Sequence, residues 1–159
     1  MLYLDSSALI KHYVNEVGTD ALNARLREEV AGLRSVFTSV LTYAEMHGAF
    51  ARLTRDKPIS TDESARLHDS FDADWVLSIS PIELESNVLG IARNLLKELP
   101  LRSADAVHLA SALWLRDMAR LSMKPDQYKG PLVFVCSDKK LSKAALQKQI
   151  EVFDPETKK

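Results

Sequence analysis

The sequence predicts an α/β fold in which helices cover both faces of a parallel sheet. Short apolar segments alternate along the chain with longer segments of helical character, which is the pattern of strands joined by helical crossovers. Two of the apolar segments, 2–4 and 132–136, are continuously hydrophobic, as central strands covered on both faces are. The predicted architecture is therefore a three-layer sandwich around a central parallel sheet of about five strands.

Turn and cap signals divide the chain into five predicted strands and seven predicted helices. The strands are expected at 2–4, 36–38, 75–79, 132–136 and 151–153. The helices are expected at 7–13, 21–30, 39 or 42 to 54, 60–72, 82–99, 101 or 103 to 121, and 138–149. Ser60 and Glu63 form a capping box, and Pro81 stands where a helix would begin. Lys57-Pro58 and the segment 124–131 are predicted breaks.

The composition is that of one globular domain, with 46% hydrophobic and 27% charged residues in 159. We expect a single domain over 1–153 and a polar, frayed tail over 154–159. The net charge of −1 argues against a protein that coats DNA, but it is compatible with a local basic rim. The single cysteine, Cys136, excludes an intrachain disulfide and is expected in the core. The absence of a signal peptide and of membrane-length apolar runs leads us to expect a cytoplasmic protein.

Four acidic residues stand in mostly apolar surroundings, where an unpaired charge is costly. Asp5 follows the first strand and Asp138 follows the fourth, so both are expected at the carboxyl edge of the sheet, where open parallel sheets bind ligands. Glu45 shares a helical face with the small and apolar residues 41, 44, 48 and 49, and this face is expected to pack inward. Asp105 lies in the first turn of a helix that is apolar almost all round.

Each acid also has an ordinary structural explanation. Asp5 and Asp138 could cap the helices or turns that follow them, Asp105 could complement a helix dipole, and Glu45 could pair with a distant arginine. Four carboxylates converging on one edge, however, would repel one another and shift their pKa values, and a bound cation relieves this. Carboxylate oxygens suit Mg²⁺ or Mn²⁺ rather than zinc, and such clusters support the hydrolysis of phosphodiesters.

Four motifs, in this order, resemble those of PIN-domain ribonucleases and, within that superfamily, of the VapC toxins of prokaryotic toxin–antitoxin pairs. They are Leu4–Lys11, Ser39–Glu45, Leu101–Ala110 and Val135–Asp138, and the resemblance extends from about Leu2 to Phe153. Carried over by position, it makes Asp5, Glu45, Asp105 and Asp138 the metal-binding acids. It also implies a parallel five-stranded sheet with Asp5 on the central strand.

The same resemblance implies an activity and partners. The activity is Mg²⁺- or Mn²⁺-dependent cleavage of single-stranded RNA that leaves 5′-phosphate and 3′-hydroxyl ends. The partners are a second copy in a homodimer and a small antitoxin whose tail enters the active site. Our hypothesis for the mechanism is that Asp5, Asp105 and Asp138 hold the first metal. Glu45 would shape a second metal site or orient the attacking water.

Three further residues are auxiliary candidates. Ser6 follows Asp5 and could hold a water molecule at the metal. The fourth motif has Cys136 where the family often has Thr or Ser, so Ser137 is the candidate for supplying that hydroxyl. Arg102, one helical turn before Asp105, could contact an RNA phosphate or pair with a surface acid.

Other polar residues near the motifs are interpreted more modestly. Lys11, Lys139 and Lys140 would form a basic rim or simply be solvated, and His108 is interpreted as a hydrogen-bonded core histidine. The alternative to an enzyme is a PIN-like module that binds or scaffolds RNA without cutting it. Such a module is expected to lack one or more of the acids, so the presence of all four favours the enzyme.

Overall fold

The computed structural model describes residues 1–31, 36–56, 59–122 and 131–157 of the chain. Its strands are β1 (Leu2–Leu4), β2 (Val36–Ser39), β3 (Ile79–Ile82), β4 (Val133–Val135) and β5 (Glu151–Phe153). Its helices are α1 (Ser6–Tyr13), α2 (Thr19–Ala31), α3 (Leu41–Asp56), α4 (Thr61–Leu77), α5 (Ser86–Glu98), α6 (Ser103–Ser122) and α7 (Lys139–Gln147). The predicted break at Lys57-Pro58 and most of the predicted loop 124–131 lie outside the described residues.

The five strands form one parallel sheet in the order β3-β2-β1-β4-β5, with β1 at its centre. This confirms the predicted fold class. Chain order reverses direction between β1 and β4, which makes the crevice beyond their carboxyl ends the topological switch point of the sheet. Leu4 pairs with Val135 in this register, so the residues that follow the two strands, Asp5 and Cys136, stand side by side.

Alternate side chains of the central strands supply two separate cores, as the twofold period of a strand requires. Tyr3 and Phe134 face the α5–α7 layer, while Leu2, Leu4 and Val135 face the layer of α1–α4. Both faces of the sheet are therefore covered, which explains why β1 and β4 are apolar throughout. No helix within the described ranges is long and apolar enough to cross a lipid bilayer.

The α4–β3 region differs from the prediction. The expected strand 75–79 is wrong, because Trp75 belongs to α4, where it packs against Phe71 one turn earlier, with ring centroids 5.7 Å apart. The strand begins only at Ile79 and contains Pro81, which was expected to open a helix. Proline is tolerated there because β3 is an edge strand and pairs with β2 alone. Helix α5 consequently starts at Ser86 rather than at residue 82.

The structure confirms two local predictions, the cap of α4 and the burial of α6. The Ser60 hydroxyl caps α4 by accepting a hydrogen bond from the Glu63 N–H at 3.1 Å, as the capping box predicts. Helix α6 is confirmed as a buried central helix, with nine buried residues between Ala106 and Ala119.

The end of the chain is docked rather than frayed over residues 154–157. Pro155 is buried, and Glu156 accepts a hydrogen bond from the Lys11 ammonium at 2.7 Å. Lys11 is itself only 4% exposed and also pairs with Glu16 at 2.8 Å, so it belongs to neither a basic rim nor the solvated surface. Gly18 allows the close approach, because its φ is +94° and a Cβ there would lie 2.9 Å from the Pro155 carbonyl.

Candidate active site

Asp5 ends the central strand and begins the first helix. Its backbone N–H donates to the Val135 carbonyl, and its side chain is the N-cap of α1, accepting from the Ala8 N–H at 3.0 Å. The Ser7 hydroxyl lies 2.9 Å from each carboxylate oxygen, and the Cys136 thiol lies 3.5 Å from one of them. These contacts fix the orientation of the carboxylate at the switch point of the sheet.

The electrostatic environment of Asp5 is unusual for a helix cap. The residue is 4% exposed, and burial raises the pKa of its carboxyl above the ordinary value. The nearby His108 and the hydrogen bonds from Ser7, Ala8 and Cys136 lower it again in part. No lysine or arginine forms an ion pair with Asp5 in the described ranges. The site thus contains a buried acid whose charged form lacks a full counterion.

The end of β4 is connected to Asp5 through Ser7. The Ser137 N–H donates to the Ser7 hydroxyl at 3.1 Å, which links the two strand ends through one side chain. The Ser137 hydroxyl is buried and has no hydrogen-bond partner among the described residues. Burial raises the pKa of the Cys136 thiol, and the Asp5 charge adds to this, so the thiol is neutral and donates to the Asp5 carboxylate.

Asp138 and Asp105 line one polar cavity beyond the strand ends, with a volume of about 190 Å³. Asp138 is the N-cap of α7 and accepts from the Lys140 and Leu141 N–H groups at 2.8 and 2.9 Å. Asp105 accepts from the Arg102 N–H at 3.3 Å, at the start of α6. Arg102, Lys139 and Lys140 line the same cavity and are exposed, so cations surround the two carboxylates. The cavity thus combines carboxylate oxygens that can bind a metal ion with cationic side chains that can bind a phosphate.

Glu45 is held by a histidine from another helix. His108, which is 2% exposed, brings its Nε2 within 2.7 Å of Glu45 Oε2 and its Nδ1 within 3.1 Å of the Tyr3 hydroxyl. Partial burial raises the pKa of Glu45, but the hydrogen bond and charge of His108 and the Ser6 hydroxyl outweigh it, so the pKa lies below its ordinary value. Glu45 is therefore ionised at neutral pH.

The helix face that carries Glu45 is less buried than its sequence suggested. The buried residues of α3 are Thr42, Met46 and Phe50, whereas Ala44 is exposed and Gly48 is half-buried. The Glu45 side chain is accordingly 26% exposed.

The oxygen donors of the site match a hard divalent cation in chemistry, and the unpartnered Ser137 hydroxyl is an additional oxygen beside Asp138. Their present arrangement does not converge on one point. Within 1–31, 36–56, 59–122 and 131–157, no group of three or more His, Cys, Asp or Glu side chains is placed to hold a metal ion. Asp5, Asp105 and Asp138 are held by helix N-termini and Glu45 by His108, so ligation of one ion would require these side chains to change rotamer.

The structure thus places the four predicted acids around one edge of the sheet in linked groups. Asp105 and Asp138 share a cavity, Asp5 is linked to the segment before Asp138, and Glu45 is linked to the helix of Asp105. The prediction that His108 is a hydrogen-bonded core histidine is confirmed. Sequence reasoning overlooked Ser7 and Tyr3. The position of Ser7, two residues after Asp5 in a predicted first turn, was the available signal.

The chain is similar to known proteins in both sequence and fold. The sequence profile of the PIN domain matches residues 2–122. Ribonuclease VapC45 of Mycobacterium tuberculosis (strain CDC 1551 / Oshkosh) and Ribonuclease VapC49 of strain ATCC 25618 / H37Rv are each 32% identical over 117 residues, which is 74% of this chain and 78% of theirs. The crystal structure of VapBC2 from Rickettsia felis bound to a promoter DNA fragment superposes with a TM-score of 0.61. That match covers 96% of this chain and 98% of the other at 14% identity, so it bears on the fold alone.

Proposed function

This chain belongs to the PIN-domain family and is of the VapC type, and on that premise we propose that it is an endoribonuclease that hydrolyses single-stranded RNA with Mg²⁺ or Mn²⁺. The observation that carries the proposal is the cavity in which Asp105 and Asp138 are surrounded by Arg102, Lys139 and Lys140. Carboxylates there suit a divalent cation, and the exposed cations suit the phosphodiester that the same ion would contact.

In the proposed mechanism Asp5, Asp105 and Asp138 are the residues that would hold the metal. When bound, a divalent cation would lower the pKa of the attacking water and offset the charge of the leaving oxygen. Glu45 is ionised and partly exposed, and it orients that water through the carboxylate oxygen not taken by His108. Arg102 and Lys139 position the RNA backbone, and the Ser137 hydroxyl is available to a water or phosphate oxygen.

The proposed partners follow from the family. The similar fold was solved as VapBC2 from Rickettsia felis bound to a DNA fragment from their promoter, and we propose that this chain is the toxin of a toxin–antitoxin pair, with a small antitoxin as its inhibitor. We further propose that it acts as a homodimer in the cytoplasm.

The test is an RNA cleavage assay with purified protein and either metal. Asp105→Asn should reduce cleavage to the level seen in EDTA, because it removes a ligand charge. Asp117→Asn is the matched control, since Asp117 lies on the same helix but pairs with Arg116 at 2.9 Å, away from the cavity. Equal, EDTA-resistant cleavage by both variants would overturn the proposal.

The alternative is a PIN-like module that binds RNA without cutting it. Titration calorimetry with Mn²⁺ distinguishes the two. The enzyme should bind the ion in a way that Asp5→Asn weakens, whereas a scaffold should bind RNA without an Asp5-dependent metal.

A further inference from the structure

A buried chain of hydrogen bonds runs from the central strand to Glu45. It starts at Tyr3 on β1, passes through the imidazole of His108 on α6 and ends at the Glu45 carboxylate on α3. Tyr3 is fully buried and His108 is 2% exposed, while the Glu45 side chain is 26% exposed. This series of hydrogen bonds thus connects the sheet and the α6 layer with the one acid of the site that is not held by a helix N-terminus.

The direction of the hydrogen bonds follows from the chemistry of the ends. Burial raises the pKa of the Tyr3 phenol well above its ordinary value, so the phenol stays neutral and can donate. An ionised Glu45 can only accept, so the imidazole must carry a proton on Nε2, and His108 Nε2 donates to Glu45 Oε2. The Tyr3 hydroxyl is the partner of His108 Nδ1, so neither nitrogen of the buried imidazole is left unsatisfied.

We propose that His108 is a positioning residue for RNA hydrolysis, which holds Glu45 Oε2 so that the other oxygen of the carboxylate faces the reacting water. The proposal rests on the ribonuclease activity proposed above. Glutamate has three rotatable side-chain bonds, and ordering such a side chain costs conformational entropy. The hydrogen bond from His108 orders Glu45 before RNA or metal binds, so this cost does not fall on the reaction.

A purely structural role would not require these contacts. A leucine of similar volume could fill the buried position beside Tyr3, but it could not hold a carboxylate that is partly exposed. His108 also lies close enough to Asp5 to lower the pKa of that acid by its charge. The imidazole therefore contacts one acid of the site and acts electrostatically on a second.

The experiment is a double-substitution cycle with His108→Leu and Glu45→Gln, using single-turnover and steady-state cleavage of RNA at saturating Mn²⁺. His108→Leu should lower kcat about 10- to 100-fold, the range for residues that orient a ligand side chain, with KM for RNA unchanged. Because His108 acts through Glu45, the double variant should be no slower than Glu45→Gln alone. His108→Gln should recover most of the rate, since its amide nitrogen can reach the position of Nε2.

A second measurement does not depend on activity. Crystal structures of the metal-free wild type and of His108→Leu should show Glu45 ordered in the first and displaced or in several rotamers in the second. An unmoved Glu45, or losses in kcat that multiply in the double variant, would overturn the positioning role. A wild type that cuts no RNA with either metal would instead refute the proposed function, while the crystal structures would still decide whether His108 positions Glu45.

Discussion

Asp5→Asn should separate the function of this residue from its effect on stability. The carboxylate is 4% exposed and burial raises its pKa, so its charge destabilises the metal-free protein at neutral pH. Asparagine is nearly isosteric and keeps an oxygen that can accept from the Ala8 N–H at the N-cap of α1. We therefore expect a variant that does not cut RNA and is more stable than the wild type in EDTA.

The size of the gain follows from the linkage between pKa and stability. Each unit by which folding raises the pKa of an acid lowers the free energy of unfolding by about 1.4 kcal/mol at pH values above both pKa values. Ser7 and the α1 N-terminus offset part of the cost in the wild type, so the net gain is smaller than the cost of burial alone. In a domain of this size a gain of about 1 kcal/mol would appear as a rise in Tm of about 2–4 °C.

The sign of the pH dependence is also fixed. The folded protein binds the Asp5 proton more tightly than the unfolded chain, whose acid has a pKa of 3.8. The stability that this group contributes is present at low pH and is lost as pH rises from that value through the raised pKa of the folded state. The advantage of the Asn variant should therefore be larger at pH 7 than at pH 4, and it should shrink as the pH falls.

Thermal unfolding in EDTA and in Mn²⁺, each over a series of pH values, provides the assay. Mn²⁺ at about 100 times its dissociation constant should stabilise the wild type by about 2.7 kcal/mol and the Asn variant by much less. Asp117→Asn, which alters an exposed acid of α6, should respond to Mn²⁺ as the wild type does. A lower Tm for Asp5→Asn in EDTA at pH 7, or equal stabilisation of both proteins by Mn²⁺, would refute the reasoning.

Two further predictions concern the docked end of the chain. Gly18→Ala should lower the free energy of unfolding by about 2 kcal/mol or more, since φ is +94° and its Cβ would lie 2.9 Å from the Pro155 carbonyl. Gly90→Ala, in α5 with nothing within 4 Å, should raise it by about 0.5–1 kcal/mol, and urea unfolding would show whether the two signs are opposite. Lys11→Met keeps the buried stem but removes the ammonium from Glu156, and we expect a loss of about 1 kcal/mol that decreases in high salt. A loss unaffected by salt would point to packing instead.

The sheet and the edge on which the acids lie could be predicted because they depend on short-range patterns. The continuous apolar character of 2–4 and 132–136 identified the central strands, and the acids that follow such strands must lie at their carboxyl ends. The β3 region could not be predicted correctly, because the sequence of 75–79 is as compatible with a strand as with a helix. The packing of Trp75 on Phe71 and Tyr43 makes Trp75 part of α4, and the sequence does not show this packing.

The partners of the charged side chains could not be predicted from the sequence either. Glu45 and His108 are separated by 63 residues, and Tyr3 and His108 by 105, so only the folded chain brings them together. The sequence predicts a surface position for Lys11. One of its two acidic partners, Glu156, is 145 residues away in a segment expected to be frayed, so the sequence does not indicate the ion pair. In both cases the sequence indicated that a charge needs a partner but contained no local signal of which partner it is.

The capping roles of the acids support the proposed function instead of competing with it. Asp5 and Asp138 are N-caps, and Asp105 binds the backbone at the start of α6. In a parallel sheet the helices that directly follow strands, here α1 and α7, begin at the carboxyl edge, so their caps Asp5 and Asp138 hold carboxylates where ligands bind. Glu45 is the fifth residue of α3, beyond the first turn, and no helix N-terminus can hold it. That difference is the physical reason why Glu45 alone among the four acids requires a side chain such as His108 to fix its position.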